Sequence, residues 1–215
     1  VDKYQNNILY PMPSLHVETL QLSNKLKSIR GIDYKFILFN SSIVPRKNLH
    51  FLIQAFQSSG IASRGFKLCV AGKIHNDHYS LKIKKLCEDD ATIKLLGYVD
   101  EIEKSWLFLN AHAFASPSCV EGFGIPVLDA YVLGLNVLAS NIPSHREIEN
   151  ISISDGEIKL LELANMNSWI LGLKEIADRN DEKYFSKEER ISNFMSSVKT
   201  LSKLFDDKLC ELILQ

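Results

Sequence analysis

Short apolar runs alternate with helix-like patterns along most of this chain, and this order constrains its fold more than any other feature. Short runs that are apolar on both faces are typical of strands in a parallel sheet covered by helices on both sides. We therefore predict a single α/β domain with a parallel sheet of about six strands. The predicted strands are Phe36–Phe39, Leu68–Ala71, Ile93–Leu96, Ala113–Ser116, Val137–Ala139 and Ile158–Leu161.

The chain divides into three predicted segments around that sheet. Residues 1–34 form a mixed lead-in with one helix expected over 15–29, and residues 35–164 carry the strands. Residues 165–215 are predicted to be helices that pack on the domain. The last helix has a long apolar stripe from Ile191 to Leu212, which we expect to cover its own core, with a second domain as the alternative.

The bulk composition excludes several classes of protein. The 215 residues are 46% hydrophobic and 24% charged with a net charge of −1, which is typical of a globular domain and gives no field that attracts nucleic acid. No signal peptide or membrane-spanning run is visible. The four cysteines lack metal-ligand spacing, so we expect buried free thiols in a reducing, cytoplasmic compartment and no metal site.

The segment Pro117–Ala130 combines two acids and two glycines at a predicted strand-to-helix junction. Glu121 precedes Gly122 and Gly124 in the loop, and Asp129 lies one turn into the following helix. Helical side chains lean toward the N-terminus, so Asp129 is expected to point back at the loop. Open backbone amides flanked by carboxylates suit a ligand with both phosphate and sugar hydroxyls. The alternative is that both acids only complement the helix dipole.

A second candidate segment, Pro45-Arg46-Lys47-Asn48, follows the first strand and opens the first helix of the sheet region. Two cations at a helix N-terminus are unfavourable unless an anion neutralises them. We interpret Arg46 and Lys47 as a diphosphate clamp, with a solvated surface pair as the alternative. Ser42, just upstream, is small enough to let a ligand approach the backbone.

Histidines offer weaker candidates. His75 and His78 have no evident third metal ligand, and His112 is expected to be structural. His145 follows the fifth strand, on the edge of the sheet where ligands are expected to bind. Gly122-Phe123-Gly124 lacks the third glycine and the early position of a dinucleotide fingerprint, and neither a nucleophile elbow nor a Walker loop is present.

With these residues in view, the chain resembles the C-terminal, nucleotide-sugar-binding half of a GT-B glycosyltransferase of family 4. The resemblance runs from about Phe36 to Glu147, and its most specific part is an acid, seven residues and a second acid, from Glu121 to Asp129. It implies that residues 35–164 are a Rossmann-like donor-binding domain. It also implies a retaining transfer that needs no cofactor, with a UDP- or GDP-sugar as the substrate.

The resemblance implies a role for each matching residue. Arg46 and Lys47, with Ser42 nearby, would hold the diphosphate, and Glu121 would be the catalytic residue that meets the hydroxyls of the donor sugar. Asp129 would bind the ribose hydroxyls. The base would lie beside Tyr98 and Val99, and the loop residues at the sugar and phosphates would be Gly122, Phe123, Gly124 and Ile125.

The sequence also departs from the family. Asp129 stands where Glu is usual, and Ser41-Ser42 replace a glycine followed by Arg or Thr, so weaker donor binding is expected. The family's acceptor-binding N-terminal domain is absent from these residues, so the isolated domain is expected to be inactive. The acceptor would be a glycan or a lipid-linked sugar, with peripheral contact at the inner face of the membrane in the second case. The alternatives are a non-catalytic module with a drifted site and a nucleotide-sugar epimerase.

Overall fold

Six parallel strands form one sheet in the computed structural model of this chain, which describes residues 11–179 and 185–213. The order across the sheet is β3-β2-β1-β4-β5-β6. Each predicted strand is present and most extend by a residue or two, which confirms the α/β prediction. The strands are β1 (Lys35–Asn40), β2 (Phe66–Ala71), β3 (Ile93–Gly97), β4 (Ala113–Ser116), β5 (Asn136–Ser140) and β6 (Glu157–Leu161).

Helices connect the strands and cover both faces of the sheet. The lead-in helix is α1 (Val17–Asn24), and the chain then continues with α2 (Leu49–Ser59), α3 (His78–Glu88), α4 (Glu101–Asn110), α5 (Ile125–Val132), α6 (Pro143–Asn150), α7 (Met166–Asp178) and α8 (Lys187–Ile213). The Asp100 side chain caps α4 by accepting a hydrogen bond from the Glu103 amide. The Glu103 side chain accepts one from the Asp100 amide, which completes a capping box. No helix among the described residues is long and apolar enough to cross a membrane.

Alternate residues of the strands pack into two separate apolar cores, one on each face of the sheet. Phe36 and Leu38 of β1 face a cluster that includes residues of α1, α4, α5 and α8. Ile37 and Phe39 face the other cluster, which residues of α2, α3 and α7 complete. Burial on both sides explains why the strands read as continuous apolar runs in the sequence.

The strand order reverses between β1 and β4. From β1 the chain builds outward through β2 and β3, then returns to place β4 on the other side of β1. Such a reversal opens a crevice at the carboxyl ends of the two strands, and ligands of open α/β sheets bind there. The segments that leave β1 and β4 at this point are the two candidate motifs, at residues 41–48 and 117–124.

Two helix predictions need correction. The lead-in helix spans Val17–Asn24 and not 15–29, and the chain after it turns through Arg30 and Gly31, with φ of 47° and 71°, and buries Ile29 and Ile32. The stripe of α8 is buried only in part.

Within that stripe Phe194 and Leu201 are buried against the domain, where α8 packs on α1, α4 and α5. Met195 is 49% exposed and Leu209 is 37% exposed, and the side chain of Leu212 lies outside the described residues. The stripe therefore covers the core only at its inward positions.

The cysteines are free, as predicted, but only two of them are buried. Cys69 lies inside β2 and Cys87 near the end of α3, whereas Cys119 and Cys210 are exposed. The prediction of buried thiols is wrong for the last two. Cys119 is exposed because it lies in the loop after β4, where the backbone leaves the sheet.

Candidate functional site

The two candidate motifs meet at the strand-order reversal. A 3-10 turn over Pro45–Lys47 carries both cations, and Asn48 then takes a left-handed conformation, with φ of 54°, before α2 begins. The amide of Cys119 donates to the carbonyl of Arg46 at 2.8 Å, which ties the loop after β4 to this turn. Because both loops start from adjacent parallel strands, the fold places their side chains side by side.

Lys47 and Glu121 form an ion pair at the centre of this site. Lys47 is buried, with only 6% of its surface exposed, and its Nζ contacts Glu121 Oε1. Ser118 Oγ donates to the same carboxylate oxygen at 2.7 Å, and an Arg46 guanidinium nitrogen lies 3.2 Å from Oε2. Lys47 is therefore not a solvated surface residue, whereas the Arg46 side chain remains 53% exposed.

The charges around Glu121 keep it ionised. Burial alone raises the pKa of Glu121, but hydrogen bonds from Lys47 and Ser118, with the charges of Lys47 and Arg46, outweigh burial and hold the pKa below its ordinary value. The carboxylate consequently works as a hydrogen-bond acceptor and not as an acid. Two cations against one carboxylate leave a local positive charge, as a diphosphate site requires.

The loop after Glu121 leads into α5, so this helix begins close to the Lys47–Glu121 ion pair. Gly124 has a φ of 101°, and no side chain caps the helix there. The first amides of a helix have no partner within the helix, so those near Gly124 and Ile125 form an anion-binding end. Gly122 is exposed, and Phe123 is half-buried against the core, which fits a plug as well as a ligand contact.

Asp129 is held by the lead-in segment. Its side chain is buried, and its oxygens accept hydrogen bonds from the amide and hydroxyl of Ser14, at 2.6 and 2.5 Å. Burial raises the pKa of Asp129 to about 6, against the opposing effect of these bonds. Local sequence pattern carries no signal for this contact because the partners are 115 residues apart.

His145 is brought into the site from α6. Its ring is fully buried, and Nδ1 lies 2.9 Å from the carbonyl oxygen of Ser140. Ser140 Oγ in turn donates to the carbonyl of Ser118, which links β5 to the loop that carries Glu121. A side chain at Gly124 would meet the His145 ring within 3.1 Å, so the ring packs directly under the loop.

Three further predicted residues, Tyr98, Val99 and Ser42, follow strands β3 and β1. Tyr98, directly after β3, is 75% exposed, whereas Val99 is buried. Ser42 is exposed in the loop after β1. Their positions at the carboxyl ends of the strands agree with a ligand edge, and their roles remain predictions.

The pocket at the site is small. A cleft of only about 10 Å³ lies between Lys47, Glu121 and Gly124. A cavity of about 390 Å³ lies at the opposite edge of the sheet, near Trp106 and the start of β1. We assign the site to the smaller cleft because the reversal in strand order, the ion pair and the helix N-terminus meet there.

Curated proteins similar to this chain are mannosyltransferases by name. O-antigen chain mannosyltransferase B of Escherichia coli is 31% identical over 115 residues, which are 53% of this chain and 30% of that protein. Serotype-specific mannosyltransferase WbdA of Escherichia coli is 29% identical over 128 residues, 57% of this chain and 16% of that protein. The chain thus spans less than a third of the length of these relatives.

Solved structures share the fold of this chain. An alpha,alpha-trehalose 6-phosphate synthase from Burkholderia multivorans matches 91% of this chain and 46% of its own, with a TM-score of 0.66 at 10% identity. WaaG, a glycosyltransferase involved in lipopolysaccharide biosynthesis, matches 89% of this chain and 51% of its own, with a TM-score of 0.58 at 16% identity. At such identities the likeness shows the fold alone, a domain of GT-B type.

The family assignment rests on a longer match. The sequence profile described as Glycosyl transferases group 1 matches residues 23–162, well over half of the chain, and this range contains the sheet and both candidate loops. The chain therefore belongs to the glycosyl transferases group 1 family.

Proposed function

We propose that this domain is the C-terminal, donor-binding domain of a retaining glycosyltransferase of family 4. It would bind a UDP- or GDP-sugar for transfer to a glycan or lipid-linked acceptor in polysaccharide biosynthesis. The observation that carries the proposal is the buried Lys47–Glu121 pair beside the N-terminus of α5, which no side chain caps, at the reversal of strand order. Free cysteines and a nucleotide-sugar substrate support a cytoplasmic location for this reaction.

In this proposal the cations and helix amides receive the diphosphate. Arg46 and Lys47 would share their hydrogen bonds between Glu121 and the phosphate oxygens, and the amides of the loop would complete the contact. Negative charge develops on the diphosphate as the bond to the sugar breaks. Fixed positive groups at that position lower the barrier because they need no reorganisation during the reaction.

Glu121 would hold the donor sugar through its hydroxyls. Its low pKa keeps it an acceptor, and Ser118 fixes the orientation of the carboxylate. Transfer also requires an acceptor placed against the sugar, because orientation of both reactants supplies much of the rate. We therefore infer that the acceptor site lies outside the described residues, on a further domain or a partner.

The names of the curated relatives indicate which donor sugar to test first. Both curated relatives carry the name mannosyltransferase, which makes an activated mannose the first donor to test. GDP-mannose and UDP-glucose differ in both base and sugar and share the diphosphate. We expect the two ligands to use the same cations, since the diphosphate is common to them.

Calorimetry with these nucleotide sugars tests the proposal. Lys47→Gln and Glu121→Gln should each weaken donor binding by about 1.5–3 kcal/mol, or roughly 10- to 150-fold, because each removes a charge-assisted contact. Lys174→Gln, an exposed lysine on α7, is the matched control and should leave binding unchanged. Unchanged affinity in both site variants would contradict the assignment.

One observation favours a second function, a non-catalytic interaction module. Asp129, which the resemblance assigns to the ribose, is occupied by Ser14 and buried. A domain that has lost donor binding would retain the fold and this polar contact. No heat of binding with either donor at millimolar concentration, from a folded chain, would favour this second function over the first.

A further inference from the structure

His145 presents an unusual arrangement of its two ring nitrogens. The ring is fully buried, Nδ1 contacts Ser140, and Nε2 has no hydrogen-bond partner among the described residues. That free nitrogen lies beside Gly124, since a Cβ at that glycine would be 3.3 Å from it. A buried polar atom without a partner is costly, and it points here at the N-terminus of α5.

The neighbours of Nδ1 determine where the proton of the neutral ring lies. The Ser140 carbonyl can only accept, and the Ser140 hydroxyl already donates its proton to the carbonyl of Ser118. Nδ1 must therefore carry the proton. Nε2 is then a bare acceptor that a second proton can occupy.

The charges around the ring respond to a ligand at the loop. Glu121 acts on His145 as a negative charge and Lys47 as a positive one, while burial keeps the ring neutral by lowering its pKa. A diphosphate that draws Lys47 away from Glu121 would leave this carboxylate less compensated and add negative charge nearby. Both changes favour an imidazolium over a neutral ring.

We propose that His145 is a positioning residue of the donor site, which takes up one proton from solvent at Nε2 when a nucleotide-sugar diphosphate occupies the loop beneath Gly124. This inference rests on the proposed donor function and extends it to a proton-linked step. The added N–H bond converts the unpartnered nitrogen into a positive donor below the anion site. Donor binding then becomes stronger as the pH falls through the neutral range.

Calorimetry of GDP-mannose binding in buffers of different ionisation enthalpy measures this proton directly. The diphosphate of a nucleotide sugar is a diester without a titration near neutrality, so the ligand does not contribute. We expect net proton uptake on binding, and an affinity that rises between pH 8 and pH 6 by no more than tenfold per pH unit. His145→Asn, which keeps a donor for the Ser140 carbonyl, should bind more weakly and take up no proton.

His78→Asn, an exposed histidine on α3, is the matched control and should keep the uptake. Nitrogen NMR of the His145 ring in the unaltered chain gives an independent readout: neutral with the proton on Nδ1 before the donor is added, and protonated on both nitrogens afterwards. A ring that stays neutral with donor bound, or equal proton uptake in the Asn variant, would overturn the inference alone. Absence of any donor binding would instead overturn the proposed function and the inference with it.

Discussion

At the residue scale, the site depends on charges held with little water around them. The side chains of Lys47 and Glu121 are each only 8% exposed, and Ser118 supplies a further hydrogen bond to the carboxylate. Removing one member of a buried pair leaves the other uncompensated and typically costs several kcal/mol. Gln variants retain a long polar side chain at each position and therefore probe ligand binding with less loss of packing than truncation to Ala.

Gly124 is required for both its backbone conformation and its contact with His145. We expect Gly124→Ala to lower the free energy of unfolding by roughly 1–3 kcal/mol, because φ is 101° and the added methyl meets the imidazole at 3.1 Å. Gly122→Ala is the matched control, since a Cβ at Gly122 meets nothing within 4 Å. Denaturant unfolding measures both, and equal stability of the two variants would show that the strain is absent.

Asp129 should make stability depend on pH in an unusual direction. Its pKa rises from 3.8 to about 6 through burial, so the folded chain keeps the proton at pH values where the unfolded chain has lost it. Stability contributed by this carboxyl is therefore highest below about pH 4, falls as the pH rises to 6, and is constant above that, a change of roughly 3 kcal/mol.

Denaturant unfolding of the native chain and of Asp129→Asn between pH 4 and pH 7.5 isolates this contribution. The difference between their free energies of unfolding should change across pH 4–6 and level off above pH 6. A difference that is independent of pH would mean that Asp129 titrates normally. The NMR titration of the carboxyl carbon gives the pKa itself.

At the element scale, the lead-in segment is part of the domain. Ser14 precedes α1 and reaches Asp129 of α5, so a residue far away in sequence satisfies a buried carboxylate. Ser14→Ala should reduce stability by about 1–3 kcal/mol, because the carboxylate loses a hydroxyl donor. It should also raise the pKa of Asp129 further, since that hydrogen bond lowers it.

Ser28→Ala provides the control in the same segment, as this serine is exposed. Its unfolding free energy should match that of the native chain. If Ser14→Ala and Ser28→Ala were equally stable, the contact to Asp129 would contribute nothing measurable, and the lead-in would not be anchored by it.

The elements differ in how far the sequence predicted them. The apolar runs of β1, β2, β4 and β5 identify strands because these strands are buried on both faces. The edge strands β3 and β6 are buried only in part, and their runs are correspondingly interrupted by lysine. The juxtaposition of Lys47 with Glu121 follows from the rule that carboxyl ends of adjacent parallel strands share an edge. The Ser14–Asp129 bond and the exposed side of α8 depend on tertiary packing, for which local pattern carries no information.

At the scale of the whole molecule, strand order decides where chemistry can occur. The strand order reverses between β1 and β4. This reversal brings the turn with Arg46 and Lys47, the loop after β4 and the start of α5 to one crevice. The family match spans the same region of the chain. Under the proposed function, this crevice binds the donor, and the acceptor lies outside the described residues.

A crystal structure of this chain with GDP-mannose or UDP-glucose tests the central claim most directly. We expect a diphosphate within hydrogen-bond distance of Lys47 Nζ and of the amides at Gly124 and Ile125, with the sugar hydroxyls on Glu121. A donor bound at another edge of the sheet, or one bound while Lys47 contacts only Glu121, would contradict it.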